Sequence, residues 1–316
     1  MELRHLKAFV AVAEELHFGR AAARLQIAQS PLSQSIRTLE GELGVALLDR
    51  TTRRVSLRPA GEAFLPRARE AIAAAAAAAD DARSAASGQL GRVRVGFTGS
   101  MTYALLPALA KALRAQLPRV ALDLHGELLT PEQVQRLVEG QLDIGLLRPP
   151  IEHADLAIEP MGAESLVVVL PRGHPLAARD AVPVASLENE PFVTYPSHFR
   201  SVLHDAVSAT CAENGFVPTV AIEVSETATL VSFVAAGIGI ALVPASAQFM
   251  TVTGAVYRPL LGATHSVQIA MCWRRQSETP VLTAALDVIR TEVKALRRGD
   301  SAHTIRADAE LQRILL

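Results

Sequence analysis

The chain has 316 residues, half of them hydrophobic, which is too long for one ordinary core and points to two or three domains. Its formal net charge is −1, and two cysteines, Cys211 and Cys272, are too few for a disulfide scaffold or a zinc site. No window that lacks a better explanation approaches the ~18 uninterrupted apolar residues of a membrane span. The opening MELRHLKAFVAV is broken by charges where a signal sequence would be apolar, so a soluble cytoplasmic protein is expected.

Residues 1–58 are helical by period, with Phe9, Val12, Ala13 and Leu16 on one stripe. Nine Lys/Arg against six Asp/Glu give this segment +3, leaving about −4 for the rest, and the basic residues gather at DRTTRRVSLR. Within FGRAAARLQIAQSPLSQSIRTLEGELG, Ala21 to Leu25 is compact and helical and Ile27-Ala28 interrupts it. Ser30 then offers a hydroxyl N-cap, with Pro31 at the first helical position. At 100° per residue Leu32, Ile36, Leu39 and Leu43 fall within about 60° and form a buried stripe. The opposite face gathers Ser30, Ser33, Gln34 and Arg37. Such a face suits a DNA major groove: Gln and Ser bond base edges, and Arg takes guanine or phosphate. The competing reading is an all-helical packing domain with a solvated face. In LDRTTRRVSL, Thr51, Thr52, Arg53 and Arg54 are placed as a wing that reaches the DNA backbone.

Residues 59–87 form an alanine-rich helix starting near Pro59 and stopped by Gly88 and Gly91. Leu65, Ala68, Ile72, Ala75 and Ala79 recur at three and four, and their small side chains admit a second helix; an exposed spacer is the alternative. From Arg92 short β-branched runs alternate with amphipathic helices. RVRVGFT, VALDLHGEL, LDIGLLR, SLVVVLP, PFVTYP, TVAIEVS, IGIALVP and SVQIAMCW are read as strands. Helices are expected near 102–117, 131–139, 200–214, 227–236 and 280–298. The alternation implies a mostly parallel α/β sheet.

In TGSM, between a strand and a helix, Thr98, Gly99, Ser100 and Met101 would turn hydroxyls and free N–H groups toward an anion. Thr130 is an N-cap candidate with Pro131 at the first helical position, and Arg148, ending LDIGLLR, would supply positive charge. The plainer readings are simple caps for Ser100 and Thr130, a structural ion pair for Arg148, and a surface loop for His198.

The stretch MELRHLKAFVAVAEELHFGRAAARLQIAQSPLSQSIRTLEGELGVALLDRTTRRVSLRPAG resembles the N-terminal domain of LysR-type transcriptional regulators. The resemblance implies a winged helix-turn-helix over residues 1–58 (helix-turn-helix 18–37), a dimerising linker helix over 59–88, and a two-lobed effector domain like periplasmic binding proteins over 91–298. Lobe I would span about 91–160 and 267–298, lobe II about 161–266, with a polar tail at 299–316. Gln29, Ser30, Pro31, Ser33, Gln34 and Arg37 match positions that approach DNA in the family. VGFTGSMTYALLPAL, LDIGLLRPP, PFVTYPS, GFVPTVAIEVSET and LVSFVAAGIGIALVPAS are closer to the subgroup governing aromatic-compound catabolism through muconate, chloromuconate or benzoate. There Ser100 and Thr130 match effector-contacting positions, and the ligand lies between lobes joined by two crossing strands. Tyr195, Pro196, Ser197, His198 and Phe199 would line the opposite lobe, in a loop shorter and differently composed than the subgroup's.

Other functions find less support. Gly237–Gly239 precedes a strand, so it is no dinucleotide fingerprint, and the chain lacks a phosphate-binding Lys-Ser/Thr loop and a G-x-S-x-G elbow. Its nine histidines do not cluster with carboxylates at metal-ligand spacings. A stand-alone solute-binding protein would not need the first 58 residues. A thiol redox sensor on the same scaffold would pair Cys211 with a cysteine about nine residues upstream, where Val202 stands. The expectation is a ligand-responsive transcriptional regulator, not an enzyme, without cofactor or metal. It would act as a homodimer through the linker helix or a homotetramer, with promoter DNA and a small anionic or aromatic-derived effector as partners and RNA polymerase as a further candidate.

Overall fold

The computed structural model describes residues 1–50, 55–197, 201–277 and 279–298, and of Arg50 and Arg298 the backbone alone. Two compact units divide the chain, Met1–Ser84 and Ala85–Leu316.

In the first unit α1 (Leu3–Glu15), α2 (Phe18–Arg24) and α3 (Gln29–Leu43) enclose one core. Phe9, Val12, Leu32, Ile36 and Leu39 are completely buried in it, each contributing about 1.5–3 kcal/mol by removal from water. Phe64 packs edge-on against Phe9, ring centroids 5.3 Å apart. Leu16 leaves the expected stripe: as the C-cap of α1 it turns to φ 50° and lies exposed. The His17 imidazole caps α2, accepting from the backbone N–H groups of Gly19 and Arg20. Gln26 at φ 56° ends that helix. Two short antiparallel strands, β1 (Leu48–Arg50) and β2 (Val55–Leu57), form the stem of a hairpin. Thr51, Thr52, Arg53 and Arg54, which follow β1 in the sequence, lie outside the described residues.

The 28-residue α4 (Pro59–Ala86) follows, about 42 Å long at 1.5 Å per residue. Ala68 is buried and Leu65 and Ile72 half-buried against the helical core, whereas Ala79 is exposed. Glu14 of α1 accepts from Arg24 of α2 at 2.6 Å and from Arg69 of α4 at 2.7 Å. These two guanidinium groups, Arg69 foremost, hold its carboxyl below the usual range.

The second unit has two lobes. In the first, β3 (Gly91–Phe97), β4 (Val120–His125), β5 (Ile144–Leu147), β6 (Leu156–Glu164) and, from the far end of the chain, β13 (Val267–Arg274) make one sheet in the order β4-β3-β5-β13-β6. Helix α5 (Leu105–Gln116) and the late α9 (Pro280–Arg298) cover one face, and α6 (Thr130–Val138) the other. The four residues of β5 are all buried because helices cover both faces of the sheet.

The second lobe contains β7 (Leu166–Pro171), β8 (Val182–Pro183), β9 (Pro191–Thr194), α7 (Val202–Glu213), β10 (Thr219–Glu223), α8 (Thr227–Ala235), β11 (Ala241–Pro244) and β12 (Ala255–Leu261). Its largest sheet runs β11-β7-β12-β8, and β10 pairs with β9. One continuous apolar cluster, including Val168, Val169, Leu170, Phe192 and Leu242, fills it.

Two expectations are corrected. The sheets are mixed rather than mostly parallel: β13 runs antiparallel to β5 and β6, and β7 antiparallel to β11 and β12. In the first lobe only β13, which returns from the second lobe, runs against β3, β4 and β5; β6, antiparallel to β13, runs with them. The structure also adds β6, β8 and β12 to the strands read from sequence. LAIEPMGAE and AVYRPLL carry Pro and polar residues that hide their period.

Gly61 in the first unit lies directly beneath the Leu47 carbonyl, where a Cβ would collide with backbone oxygen. Alanine gains about 1 kcal/mol of helix propensity, but backbone cannot yield as a flexible side chain does. We expect Gly61→Ala to lower the stability of the first unit by a net ~1–3 kcal/mol, read as a fall in its urea midpoint.

Candidate functional site: a groove-reading helix and an interlobe cavity

Helix α3 begins at Gln29 with Ala28 as N-cap, and no side chain caps it. Ser30 and Pro31 therefore lie inside the first turn rather than at its boundary. Pro31 is tolerated there because the first N–H groups of a helix have no intrahelical acceptor. Leu32, Ile36 and Leu39 are 0% exposed, as the stripe predicts, while Leu43 is half-buried. Gln29, Ser30, Pro31, Gln34 and Arg37 are exposed and Ser33 half-buried. The polar face is thus turned outward and not sealed against the core. Arg37 makes no ion pair among the described residues, in contrast to Arg20 and Arg24, which pair with Glu15 and Glu14.

Between the two lobes of the second unit lies a cavity of about 110 Å³, comparable to an engineered cavity of about 150 Å³ that accepts benzene. Thr98, Gly99, Ser100, Glu127, Leu128, Leu129, Thr130 and Arg148 line it from the first lobe. Tyr195, Ser201, Val202, Leu203, Ser225, Glu226 and Thr227 line it from the second.

The TGSM segment does not open a long helix. Gly99–Tyr103 is a five-residue 3-10 turn, and α5 starts only at Leu105. The Met101 N–H is spent on the Thr98 carbonyl at 3.0 Å, and its side chain is buried in the lobe core. Met101 is therefore not on the cavity wall. Thr98 is on it, 8% exposed, with a hydroxyl that has no partner among the described residues.

Thr130 does not cap α6 either. The helix starts on it, Leu129 takes the N-cap place, and the Thr130 hydroxyl donates to the Arg148 carbonyl at 2.9 Å and accepts from the Arg148 N–H at 3.2 Å. This latch holds the end of β5 against α6. The wholly buried Gln133 tightens it, its amide donating to the Leu128 and Leu146 carbonyls.

Arg148 is 2% exposed and Glu164 1%. The guanidinium Nη2 donates to Glu164 Oε1 and to Ser100 Oγ, both at 3.0 Å. Glu164 Oε2 accepts the Ser246 N–H at 3.1 Å, and the Ser246 hydroxyl donates to the Ser100 carbonyl at 3.2 Å. Four segments meet in this network: the turn after β3, the end of β5, the end of β6 and the turn after β11. Arg148 borders the cavity, but its charge is balanced by Glu164, which is the structural ion pair weighed against a ligand-facing charge in the reading of LDIGLLR.

In the second lobe Tyr195 is buried on the wall with its hydroxyl 3.0 Å from Thr227 Oγ1, and burial pushes its pKa upward. Ser197 is exposed and not on the wall; its N–H donates to Glu223 at 3.4 Å. His198 and Phe199 lie outside the described residues. The remaining wall comes from the starts of α7 and α8, which sequence reading missed. Ser201 caps α7, accepting from the His204 N–H, and a polar residue ahead of an apolar helix was the one available signal. Glu127 and Glu226 were missed for want of any motif. Cys211 is fully buried, and burial raises its thiol pKa to about 11, against a reactive thiolate. Among the described residues no group of His, Cys, Asp and Glu is arranged to hold a metal, and no helix is long and apolar enough to cross a membrane.

An outward-facing recognition helix in one unit and a small interlobe cavity in the other define a ligand-responsive DNA-binding regulator. Comparison with known proteins agrees. The bacterial regulatory helix-turn-helix protein, lysR family, matches residues 3–62 and the LysR substrate binding domain matches residues 86–294. The HTH-type transcriptional regulator ShiR of Corynebacterium glutamicum is 42% identical, over 91% of this chain and 98% of its own. AlsR of Bacillus subtilis is 35% identical, over 95% and 99%. The crystal structure of CbnR, a LysR family transcriptional regulator, superposes with a TM-score of 0.83 at 29% identity, covering 92% of this chain and 100% of CbnR. The same regulator in complex with its target DNA gives 0.78. The chain belongs to the LysR family: it is a transcriptional regulator with a helix-turn-helix DNA-binding domain and a substrate-binding domain.

Removing one partner of a buried ion pair strands the other charge. Glu164→Ala is expected to destabilise the second unit by about 3–5 kcal/mol, measured as a shift of the urea midpoint at unchanged slope.

Proposed function

We propose that α3 reads the operator through Gln29, Ser30, Ser33, Gln34 and Arg37, that Pro31 shapes the approach of its first turn, and that Thr51, Arg53 and Arg54 grip phosphates. The observation that carries this is the outward polar face of α3 over a fully buried Leu32, Ile36 and Leu39. The exposed alanine half of α4 supports a homodimer formed through that helix, which places two recognition helices on a two-fold site; a tetramer is a pair of such dimers. A small effector in the interlobe cavity shifts the population toward one lobe arrangement and so alters how the protein sits on and bends DNA. Thr98, Gly99, Ser100, Thr130, Arg148 and Tyr195 are its proposed surroundings. Resemblance to regulators of aromatic-compound catabolism rests on the scattered stretches of the effector domain quoted above. The protein acts in the cytoplasm and without catalysis, as a family of regulators implies.

Two kinds of variant separate the contact types. Gln34→Ala relaxes base preference at one operator position, at a cost of about 1–3 kcal/mol for the preferred base. Arg53→Ala weakens binding to all sequences and lowers the log-log salt slope by about 1. Competition binding across a salt series measures both, and identical behaviour of the two would sink the division between helix and wing. For the effector, a thermal-shift screen of small polar and aromatic molecules applies, because a ligand that binds only the folded state raises the melting temperature. If every active molecule acts equally on the natural chain and on variants of the wall residues Thr98, Glu127 and Glu226, the cavity is not the site.

A further inference from the structure

The cavity wall carries two carboxylates and no uncommitted cation among the described residues. Glu127 comes from the first lobe, in the turn between β4 and α6; Glu226 comes from the second, immediately ahead of α8. Among the described residues Glu127 has no hydrogen bond and no ion pair, and Glu226 accepts only from the Thr229 hydroxyl at 3.2 Å. The Glu127 carboxyl lies over Gly99, where both of its oxygens would collide with a Cβ. It therefore occupies the place beside the TGSM segment that an effector anion was expected to take. The turn bearing it is firmly built: the Leu128 N–H donates to the Phe97 carbonyl at 3.1 Å, and Glu127 itself is held at φ 55°. The third charged residue on the wall, Arg148, is ion-paired with Glu164 at 3.0 Å, its Nε alone lacking an acceptor among the described residues. Thr98, buried beside Gly99, keeps a hydroxyl without a partner among the described residues.

Two unpaired carboxylates brought together from opposite lobes repel as the cleft narrows. A cation seated between them reverses the sign, so that ligand charge and cleft closure are coupled. Two carboxylates fall short of the six to eight oxygens a calcium ion takes, whereas an ammonium needs only two or three acceptors. We propose that the effector carries a protonated amine, which docks between Glu127 and Glu226 while a hydrogen-bonding group of the same molecule meets the Thr98 hydroxyl. The assignment rests on the interlobe cavity being the effector site. Burial, then the charge of Glu226, holds the Glu127 carboxyl above its usual range, as befits an acid whose counter-charge arrives with the ligand.

The test uses the full chain and three probes of one skeleton at matched ionic strength: n-butylammonium chloride, sodium butyrate and 1-butanol. Affinities follow from the concentration dependence of the melting temperature. The amine is expected to bind more tightly than butyrate and butanol, and Glu127→Gln or Glu226→Gln to weaken it at least about tenfold, leaving butanol unchanged. Thr98→Val removes only an unpartnered hydroxyl, so it should fold normally and bind the amine as before while losing affinity for a probe that also carries a hydroxyl, 4-amino-1-butanol. Butyrate binding at least as tightly as the amine, or an amine that ignores both glutamine variants, overturns the cation assignment. Butyrate binding that Thr98→Val weakens would do so while leaving the cavity as the effector site. A chain that responds to none of the probes overturns the assignment as well.

Discussion

The buried contact between Arg148 and Glu164 organises the effector unit. Both side chains are buried, and each bonds a further piece of chain: Ser100 and the β13 carbonyls for Arg148, whose Nε lacks a partner among the described residues, and Ser246 for Glu164. Charges taken out of water cost several kcal/mol apiece, and the hydrogen bonds that the pair makes offset part of that cost. The pair welds the ends of β5 and β6 to the turn after β3 and the turn after β11, so both lobes are referred to one charged point at the back of the cleft. It also sets the electrostatics of the cavity. With that pair neutral as a unit, Glu127 and Glu226 are the remaining charges on the wall among the described residues.

The recognition unit obeys a simpler constraint. Its helices are short and hold together through one apolar cluster, so α3 is oriented by Leu32, Ile36 and Leu39 rather than by anything on its outer face. Because the polar face bears none of the folding load, Ser30, Gln34 and Arg37 are free to be chosen for what they touch. The Glu14 contacts to Arg24 and Arg69 fasten α4 to this unit at the surface, where screening keeps such pairs to about 1 kcal/mol or less.

Periodic elements were legible in the chain itself. The stripe of α3, the alanine helix, the βαβ alternation and the final helix lie within a few residues of where their periods place them. The crossing strand β6 was not, because LAIEPMGAE mixes Pro, Gly and Glu in a segment that serves two lobes at once. Residue types announced hydroxyls at the cleft, but not their use. Ser30 and Thr130 follow the rule for caps, yet one sits within a helical turn and the other is taken by the Arg148 backbone. Pairing of Arg148 with Glu164 depends on a contact between two strands that no sequence pattern specifies, so Arg148 stood open between a structural ion pair and a ligand-facing charge. Glu127 and Glu226, nearly one hundred positions apart, meet only through the fold.

The crossing strands have a mechanical corollary. Strand β6 pairs with β13 along its length, and the register slips once, between Ile269 and Ala270, leaving Met161 without an opposite residue. That methionine is 2% exposed, its thioether packed in the first-lobe core. A bulge is where a ladder bends most readily, and here the crease is plugged by a side chain that would have to leave its seat for the ladder to flex. A bend of the crossing pair at that bulge would have to unseat Met161, so the methionine's packing opposes it.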